Sequence, residues 1–486
     1  MECLGHIGTS LREFSGAPSN HVSFKIHHTI ITRTVVCGAM DGLRHQTVVV
    51  PRQCGMYSKT LNRPRRRVSR QTLERDHGHI NVSSLSDTAV NGKEEEVKKY
   101  FVKRLEAKGW GDSVRQSQQD ADIGLVWDAM ARVYGLGIVE TKLMPCPWLV
   151  EAIDMFEEFE QQKATKVWLK MENSQVTGSF KARGAAYKVR KLLEEGQLKN
   201  GIVISSTGNH AMAVLHACCA LSHSSGGHVP LEMYVPETIN TRKLSKIERM
   251  AKECGATIVL HGDDCVEAER LARSVAERKG SVYISPYNDI DVISGQGTIA
   301  MEILMERSPD ELDAIFVPVG GGGLISGIAR VIKTLAPHVR VIGCQPELSD
   351  VMRQSVDEGT IVSIPWMKTL AEGVSGGIEE GAITLGPCMN LVDDWVSVSE
   401  EQIAHAMVSM HGHHGQQIEG AAAVALASIL KMGPELMGKR VVAIVCGGNV
   451  AGADLDAAYD IVRGLGRGDV SINQDFRDIG GKASAF

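Results

Sequence analysis

The 486-residue chain has no long hydrophobic run and no large excess of charge of one sign. Apolar runs such as 441–446 are far shorter than the roughly 20 residues that cross a bilayer, so no transmembrane segment is predicted. The formal net charge of −6 gives no reason to expect nucleic acid or an anionic membrane as a partner. The composition is that of an ordinary globular protein.

Paired cysteine spacings are also missing. The eleven cysteines are scattered, without the spacing of a zinc site or the density of a secreted disulfide scaffold. This distribution favours a reducing compartment and predicts that most of the cysteines are small apolar core residues.

Positive charge is concentrated at the N-terminus. Residues 1–70 carry eleven Lys or Arg against three acids, a local balance of +8, which leaves −14 for the remainder. We interpret residues 1–122 as a basic, disordered N-terminal extension followed by a leading helix, and exclude the basic segment from the fold. The basic segment is read either as an organelle-targeting segment, which would place the protein in a matrix or stroma, or as a disordered tail of a cytoplasmic protein.

From about residue 123, short apolar runs alternate with amphipathic helical stretches. The runs are β-branched, continuous and bounded by glycine or proline, as strands buried on both faces are. This alternation predicts an α/β fold with mainly parallel sheets. Seven strands are predicted, at 166–171, 201–206, 231–236, 256–261, 314–319, 339–344 and 440–446.

Three strand-to-helix junctions are chemically unusual, and ligands of parallel sheets bind at such junctions. In "VPVGGGGLISG" (317–327), four glycines before a helix predict a backbone cradle for an anion. It fits neither G-x-G-x-x-G nor a P-loop, which argues against dinucleotides and nucleoside triphosphates. In "SSTGNHAMAV" (205–214), a run of capping residues could bind a carboxylate. In "AIVCGGNV" (443–450), a cysteine ends a strand, which by itself indicates a buried structural thiol as readily as a ligand contact.

A fourth stretch, "NSQVTGSFKARGAA" (173–186), places Lys181 in the first turn of a predicted helix. A surface lysine fits that helix equally well. However, the turn before it contains capping residues and Phe180, and such surroundings can desolvate an amine and lower its pKa, as Schiff-base chemistry requires.

Together, "SQVTGSFKARGA", "SSTGNHA", "PVGGGGLISGIA" and "CGGNV" resemble, in this order, the threonine/serine dehydratase group of pyridoxal-phosphate enzymes. The resemblance covers about residues 123–465. It implies a tryptophan-synthase-β-like fold: two open, mainly parallel α/β sheet domains with the cofactor in the cleft between them. The catalytic region would then be 123–486, with a small domain at about 202–290 inserted in the large one.

The resemblance also implies roles for individual residues. Lys181 would bind pyridoxal 5'-phosphate as a Schiff base and act as acid and base at Cα. The residues implied to bind the cofactor are Lys181, Phe180 beside the ring, Asn209 at the phenolic oxygen, Gly320, Gly321, Gly322 and Gly323 at the phosphate, and Cys446 at the ring nitrogen. The residues implied to bind the substrate carboxylate are Ser206, Thr207, Asn209 and His210.

The implied activity is that of a lyase that converts L-threonine, and L-serine, to a 2-oxo acid and ammonia by β-elimination. A neutral thiol at the ring nitrogen makes a weaker electron sink than a carboxylate would, which favours elimination over transamination. Amino-acid racemisation, with Thr207 as the second acid, and hydroxyaspartate dehydration are the alternatives. An amino-acid sensor without activity would be expected to lack Lys181, and a nicotinamide dehydrogenase would need a fingerprint that the sequence lacks.

Two segments bear on metal binding. Some relatives carry a cation site that begins at a Glu-Pro pair; here Gln345 replaces that glutamate, although Glu347 and Asp350 remain nearby. The cluster "HGHHG" (411–415) gives no clear tetrahedral set, and we interpret it as a polar loop after a helix. No metal is therefore predicted. The implied partners are a small amino-acid substrate and further copies of the chain, in a dimer or tetramer.

Overall fold

Two sheets flanked by helices make up the described part of the chain. The computed structural model describes residues 94–117, 121–155, 164–225 and 228–465. Their strands are β1 (Leu143–Pro145), β2 (Lys166–Lys170), β3 (Ile202–Ser205), β4 (Leu231–Val235), β5 (Thr257–Leu260), β6 (Val282–Tyr283), β7 (Ala314–Pro318), β8 (Arg340–Pro346), β9 (Asp394–Val398) and β10 (Arg440–Ile444). The predicted basic segment 1–70 lies outside the described residues.

The helices alternate with the strands along much of the chain. They are α1 (Glu94–Ala107), α2 (Gly111–Ser117), α3 (Ala121–Arg132), α4 (Pro147–Asp154), α5 (Lys181–Glu194), α6 (Asn209–Ser225), α7 (Thr241–Cys254), α8 (Cys265–Lys279), α9 (Ile290–Glu306), α10 (Gly323–Leu335), α11 (Val351–Glu358), α12 (Leu385–Leu391), α13 (Glu400–His414), α14 (Gly420–Lys431) and α15 (Gly452–Leu465). In the described ranges none of them is both long and apolar enough to cross a membrane.

The larger sheet has the strand order β1-β2-β10-β7-β8-β9 and the smaller one β5-β4-β3-β6. Every neighbouring pair is parallel except β1 and β2. The predicted α/β class with mainly parallel sheets is therefore confirmed. The smaller sheet lies inside the segment 202–290 for which a small domain is predicted, although the domain boundaries themselves stay a prediction.

All seven predicted strands are present, whereas three others were not predicted. β1 and β6 have only three and two residues, too few to carry a periodic signal. β9 is "DWVSV", with four partly buried residues, so it lacks the continuous apolar character of a strand buried on both faces.

Strand register determines which segments meet at the end of the larger sheet. Ile444 at the end of β10 pairs with Lys170 at the end of β2, and Ala443 pairs with Phe316 in β7. Because parallel strands end at the same edge of a sheet, the segments after β2, β7 and β10 emerge side by side. Three of the four motifs lie in or directly after these segments.

Close glycine contacts pack α9 between α5 and α10. A Cβ at Gly295 would lie 2.6 Å from the Cα of Gly184 in α5, and a Cβ at Gly327 in α10 would lie 2.3 Å from the carbonyl oxygen of Ile293. The helices can approach so closely only because these positions carry no side chain. This packing fixes the N-termini of α5 and α10, which carry Lys181 and the last glycine of the cradle.

Candidate active site

The turn before α5 is bound to the loop that follows β10. The amide N–H of Phe180 donates to the carbonyl oxygen of Cys446 over 3.1 Å, and that of Gly448 donates to Gly178 over 2.9 Å. Gly178 has a φ of +77°, and a Cβ there would lie 2.8 Å from the Asn449 side chain. Both the backbone conformation and the space available therefore require glycine at 178.

Lys181 is the first residue of α5, as predicted, and its side chain is partly buried. Its Nζ donates to the carbonyl oxygen of Pro286 over 2.9 Å and lies 5.1 Å from the centre of the Phe180 ring. Burial disfavours the ammonium form and lowers the pKa of Lys181 to about 8, against the opposing effects of Cys446 and Glu419. Part of the amine is consequently neutral near physiological pH, as a nucleophilic lysine requires.

Cys446 is buried within the loop that contacts this turn. Burial raises the pKa of its thiol, and the Glu419 carboxylate raises it further, whereas Lys181 opposes the shift. The thiol is therefore neutral at physiological pH. The sequence left open whether this cysteine is structural or contacts a ligand, and the structure places it next to the predicted catalytic lysine.

The glycine cradle has backbone donors without protein partners. Within the described ranges, no residue accepts a hydrogen bond from the amide N–H of Gly320, Gly321 or Gly322. These donors precede the N-terminus of α10, an arrangement that attracts anions. Gly322 has a φ of +85°, and a Cβ at Gly321 would lie 2.4 Å from the Tyr287 ring. The close approach of Tyr287 therefore contributes to the need for glycine here.

The predicted carboxylate loop joins β3 to α6. The amide N–H of Gly208 donates to Ser206 Oγ over 3.3 Å. His210 is buried and its Nε2 lies 2.9 Å from the carbonyl oxygen of Ile284. Burial and Lys181 lower the pKa of His210 to about 3, so the ring is neutral and Nε2 carries its proton. His210 then has no second N–H for a carboxylate, which leaves the hydroxyls and amides of the loop as donors.

Glu419, just before α14, is a site residue to which the sequence analysis assigned no role. Asn209 Nδ2 donates to its two carboxylate oxygens, over 3.0 Å each, and the amide N–H of Asn449 donates to Oε1 over 2.8 Å. Burial raises the pKa of Glu419, while Asn209, Asn449 and two lysines oppose the shift. Tyr287, which packs against the glycine cradle, was also not predicted from the sequence. The only local signal for Glu419 was a single acid in front of an alanine-rich helix.

The end of β8 and the segment after it have their polar groups paired with protein. Gln345 donates from Nε2 to the carbonyl oxygen of Val319 over 3.1 Å, and its Oε1 accepts from the amide N–H of Arg353 over 2.8 Å. The Asp350 carboxylate accepts from the Arg353 guanidinium at 2.6 and 2.8 Å. Glu347 pairs with Lys431. The Arg353 guanidinium thus neutralises the Asp350 carboxylate.

The three histidines 411, 413 and 414 do not lie in a loop, contrary to the prediction. They form the last turn of α13, which ends at Gly415 in a left-handed conformation. His411 Nδ1 lies 2.8 Å from the Tyr459 hydroxyl, and His413 stacks on Trp148. Short polar residues around a glycine suggested a loop, but the glycine is a helix C-cap. Within the described ranges, no group of three or more His, Cys, Asp or Glu residues could hold a metal ion.

The site as a whole is that of a lysine-dependent cofactor enzyme. The family model described as "Pyridoxal-phosphate dependent enzyme" matches residues 140–447. The chain belongs to this family, which confirms the predicted cofactor class.

The relatives give a more particular likeness. The chain is 39% identical over 285 residues to the L-threonine ammonia-lyase of Thermotoga maritima, covering 59% of this chain and 67% of that protein. It resembles the structure of the processed form of threonine deaminase isoform 2 from Solanum lycopersicum with a TM-score of 0.62 and 28% identity, covering 71% of this chain and 94% of that one. For maize serine racemase the TM-score is 0.60 and the identity 29%, over 71% of this chain and 99% of that one.

The donors and unpartnered atoms of the site fit pyridoxal phosphate. The cradle offers three free amide N–H groups to a phosphate. Thr177 Oγ1 and Ser179 Oγ, in the turn before Lys181, are buried with no hydrogen-bond partner among the described residues, so a bound polar group could satisfy them. A nucleophilic amine, a neutral thiol and an asparagine amide complete a set that suits an aldehyde, a ring nitrogen and a phenolic oxygen.

Proposed function

We propose that this protein is a pyridoxal-phosphate-dependent ammonia-lyase acting on free β-hydroxy amino acids, with L-threonine and L-serine as its substrates. The observation that carries the proposal is the pairing of Lys181, whose pKa is lowered to about 8, with the neutral Cys446 thiol at the meeting point of three motifs. The names of the relatives support threonine as the substrate.

Each site residue has its own role in the proposed reaction. Lys181 Nζ would hold the cofactor at rest, take the Cα proton and pass it to the departing β-hydroxyl, because an amine with a pKa near 8 accepts and releases a proton readily near neutral pH. The hydroxyls of Ser206 and Thr207 and the amide N–H groups at the start of α6 receive the substrate carboxylate. Cys446 would lie at the ring nitrogen of the bound cofactor without adding a charge.

The bound cofactor supplies an aldehyde for the substrate amine and an electron sink for the negative charge that develops at Cα. The β-hydroxyl leaves as water with the proton that Lys181 removed from Cα, and the released enamine is hydrolysed by water to the 2-oxo acid and ammonia. The net products of threonine are 2-oxobutanoate and ammonia, and those of serine are pyruvate and ammonia.

The experiment that tests this function measures 2-oxo acid and ammonia release from L-threonine and L-serine with Lys181→Ala. We expect no turnover and no reducible linkage between the cofactor and the protein. The matched control is Lys199→Ala, an exposed lysine just beyond the end of α5, which should behave like the parent protein. A Lys181→Ala variant with normal turnover would overturn the proposal.

Amino-acid racemisation is a second candidate, favoured by Thr207. Its side chain is partly exposed in the carboxylate loop and makes no hydrogen bond to another described residue, so its hydroxyl is free to donate a proton to Cα. Chiral analysis of recovered substrate separates the two activities. D-enantiomer accumulating faster than 2-oxo acid would favour racemisation, and Thr207→Ala should then abolish it.

Assembly and compartment are separate parts of the proposal. We propose a homo-oligomer, tested by light scattering of the full chain. We also propose that residues 1–70, with their balance of +8, direct the protein to an organelle. Fusion of this segment to a fluorescent protein tests this. Diffuse cytoplasmic fluorescence would instead support the basic-tail interpretation.

A further inference from the structure

Four polar side chains form a continuous hydrogen-bonded line across the candidate site. Lys246 Nζ donates to Asn449 Oδ1 over 2.6 Å. Asn449 Nδ2 donates to Asn209 Oδ1 and to the carbonyl oxygen of Thr177, both over 2.8 Å. Asn209 Nδ2 donates in turn to Glu419. We call Lys246, Asn449, Asn209 and Glu419 the amide relay.

The charged ends determine the direction of the relay. An ammonium can only donate, so Lys246 requires the oxygen of the Asn449 amide, and a carboxylate can only accept, so Glu419 requires the nitrogen of Asn209. With these orientations the Nδ2 of Asn449 faces the Oδ1 of Asn209. Turning either side-chain amide by 180° would bring two donors, or two acceptors, into contact.

The geometry at Glu419 leaves one hydrogen of Asn209 unused. Nδ2 lies 3.0 Å from both carboxylate oxygens. These oxygens subtend a much narrower angle at the nitrogen than its two N–H bonds span, so a single N–H is shared between them. The second N–H has no acceptor among the described residues, and its direction is fixed because the amide is held at both ends.

The surrounding backbone is built around the carboxylate. A Cβ at Gly447 would lie 2.5 Å from Glu419 Oε1, so only glycine leaves room for Glu419 there. The amide N–H of Asn449 donates to the same oxygen over 2.8 Å, and the amide N–H of Glu419 donates to the carbonyl oxygen of Gly447 over 3.1 Å. Glu419 is thus fixed to the same loop that carries Cys446.

We infer that Glu419 and Lys246 are positioning residues, which act through the two asparagine amides to aim the free N–H of Asn209 at the phenolic oxygen of pyridoxal phosphate. This inference rests on the site roles in the proposed function, but it does not depend on which amino acid is the substrate. Lys246 belongs to α7 and Glu419 lies beside the larger sheet, so the relay also joins the helices of the smaller sheet to the site.

The test measures the equilibrium Kd of pyridoxal phosphate for cofactor-free protein with Glu419→Gln, with Lys246→Met and with both changes. Glu419→Gln presents an NH₂ to Asn209, which conflicts with its donor, and we expect Kd to rise about tenfold or more, as for loss of a charge-assisted hydrogen bond. Because the relay acts as one unit, the two changes together should raise Kd by less than the product of the factors by which each single change raises it.

The matched controls are Lys279→Met and Glu232→Gln, which separate the ion pair between the end of α8 and β4. They remove the same kinds of charge from the elements of the smaller sheet without touching Asn209 or Glu419, so Kd should change less than twofold. Thermal unfolding of the cofactor-free variants shows whether they fold. A folded Glu419→Gln variant with the parent Kd, or fully additive effects of the two changes, would overturn the inference.

Failure of the relay and failure of the proposed function can be told apart. If Kd responds as expected while the parent protein releases no 2-oxo acid from any β-hydroxy amino acid, the lyase proposal fails and the relay stands. If the parent protein is an active lyase and Kd does not respond, only the relay fails.

Discussion

At Lys181 the shift in pKa is a consequence of burial, because an ammonium loses solvation when its side chain is enclosed. The amine is mostly protonated below a pH of about 8 and mostly neutral above it. Cys446 and, to a smaller extent, Glu419 keep the pKa from falling further. An amine with this pKa can serve both as a nucleophile and as a proton carrier.

The first prediction concerns the pH dependence of that amine. In cofactor-free protein, acylation of Lys181 should rise with pH about a midpoint near 8, whereas an ordinary lysine has a pKa of about 10.4. Competitive labelling followed by mass spectrometry of the Lys181 peptide measures this, with the exposed Lys199 as internal reference. A midpoint near the ordinary value would contradict the role of burial.

A second prediction concerns the neutral Cys446 thiol, which the proposed function places at the ring nitrogen of the cofactor. Cys446→Ser keeps a neutral hydrogen-bonding group and should keep most of the turnover. Cys446→Asp introduces a carboxylate that would hold the ring nitrogen protonated and deepen the electron sink. We expect about tenfold slower elimination, or about 1.4 kcal/mol in the barrier, with more transamination. The rates of 2-oxo acid release and of amino-group transfer are measured for both variants. Equal rates for Cys446→Ser and Cys446→Asp would contradict the prediction.

At the scale of single elements, the glycine junction and the helices behind it act together. α10 starts at Gly323, and its N-terminal donors are usable only because the preceding glycines turn the backbone without side chains. Tyr287 also contributes, since its ring fills the space next to Gly321.

The third prediction is that Gly321→Ala displaces Tyr287 and the cradle. The added Cβ would overlap the ring, at a cost of about 1–3 kcal/mol as in other overpacked sites, and pyridoxal phosphate should bind correspondingly more weakly. Gly386→Ala in α12 is the control, because nothing lies within 4 Å of its added Cβ. Thermal unfolding and cofactor titration measure both effects. Parent-like binding by Gly321→Ala would argue against a phosphate at this junction.

Across the whole molecule, a buried ionic cluster joins the larger sheet to the helices behind the site. Lys170 of β2 and Arg183 of α5 both donate to Glu302 of α9, and Arg183 also pairs with Glu172; all four side chains are fully buried. Burial alone would raise the pKa of Glu302, but Arg183 and Lys170 outweigh it and hold this pKa well below its usual range. Two positive and two negative charges make the cluster neutral as a unit.

The fourth prediction follows from that balance. Glu302→Gln leaves a positive charge uncompensated in the core and should lower the free energy of unfolding by about 3–5 kcal/mol. Asp460→Asn, which breaks the exposed pair with Arg463, should cost less than about 1 kcal/mol. Urea unfolding of both variants provides the comparison. An equal loss in the two would mean that the buried cluster does not stabilise the fold.

The sequence by itself determined the α/β class, seven of the strands, and the turns that carry Lys181, Cys446 and the glycine cradle. These features are local: apolar runs, helix starts and glycine turns are specified by neighbouring residues. The misplaced histidines show the limit of such signals, since Gly415 ends a helix but suggested a loop.

Only the tertiary structure decided what meets in the site. Glu419 binds Asn209 across 210 positions, and Asn449 binds Asn209 across 240, so no spacing along the chain announces either contact. The lowered pKa of Lys181 likewise depends on what encloses the amine. Strand register and helix packing bring these groups together, because burial and hydrogen-bond partners are properties of the folded chain and not of its local segments.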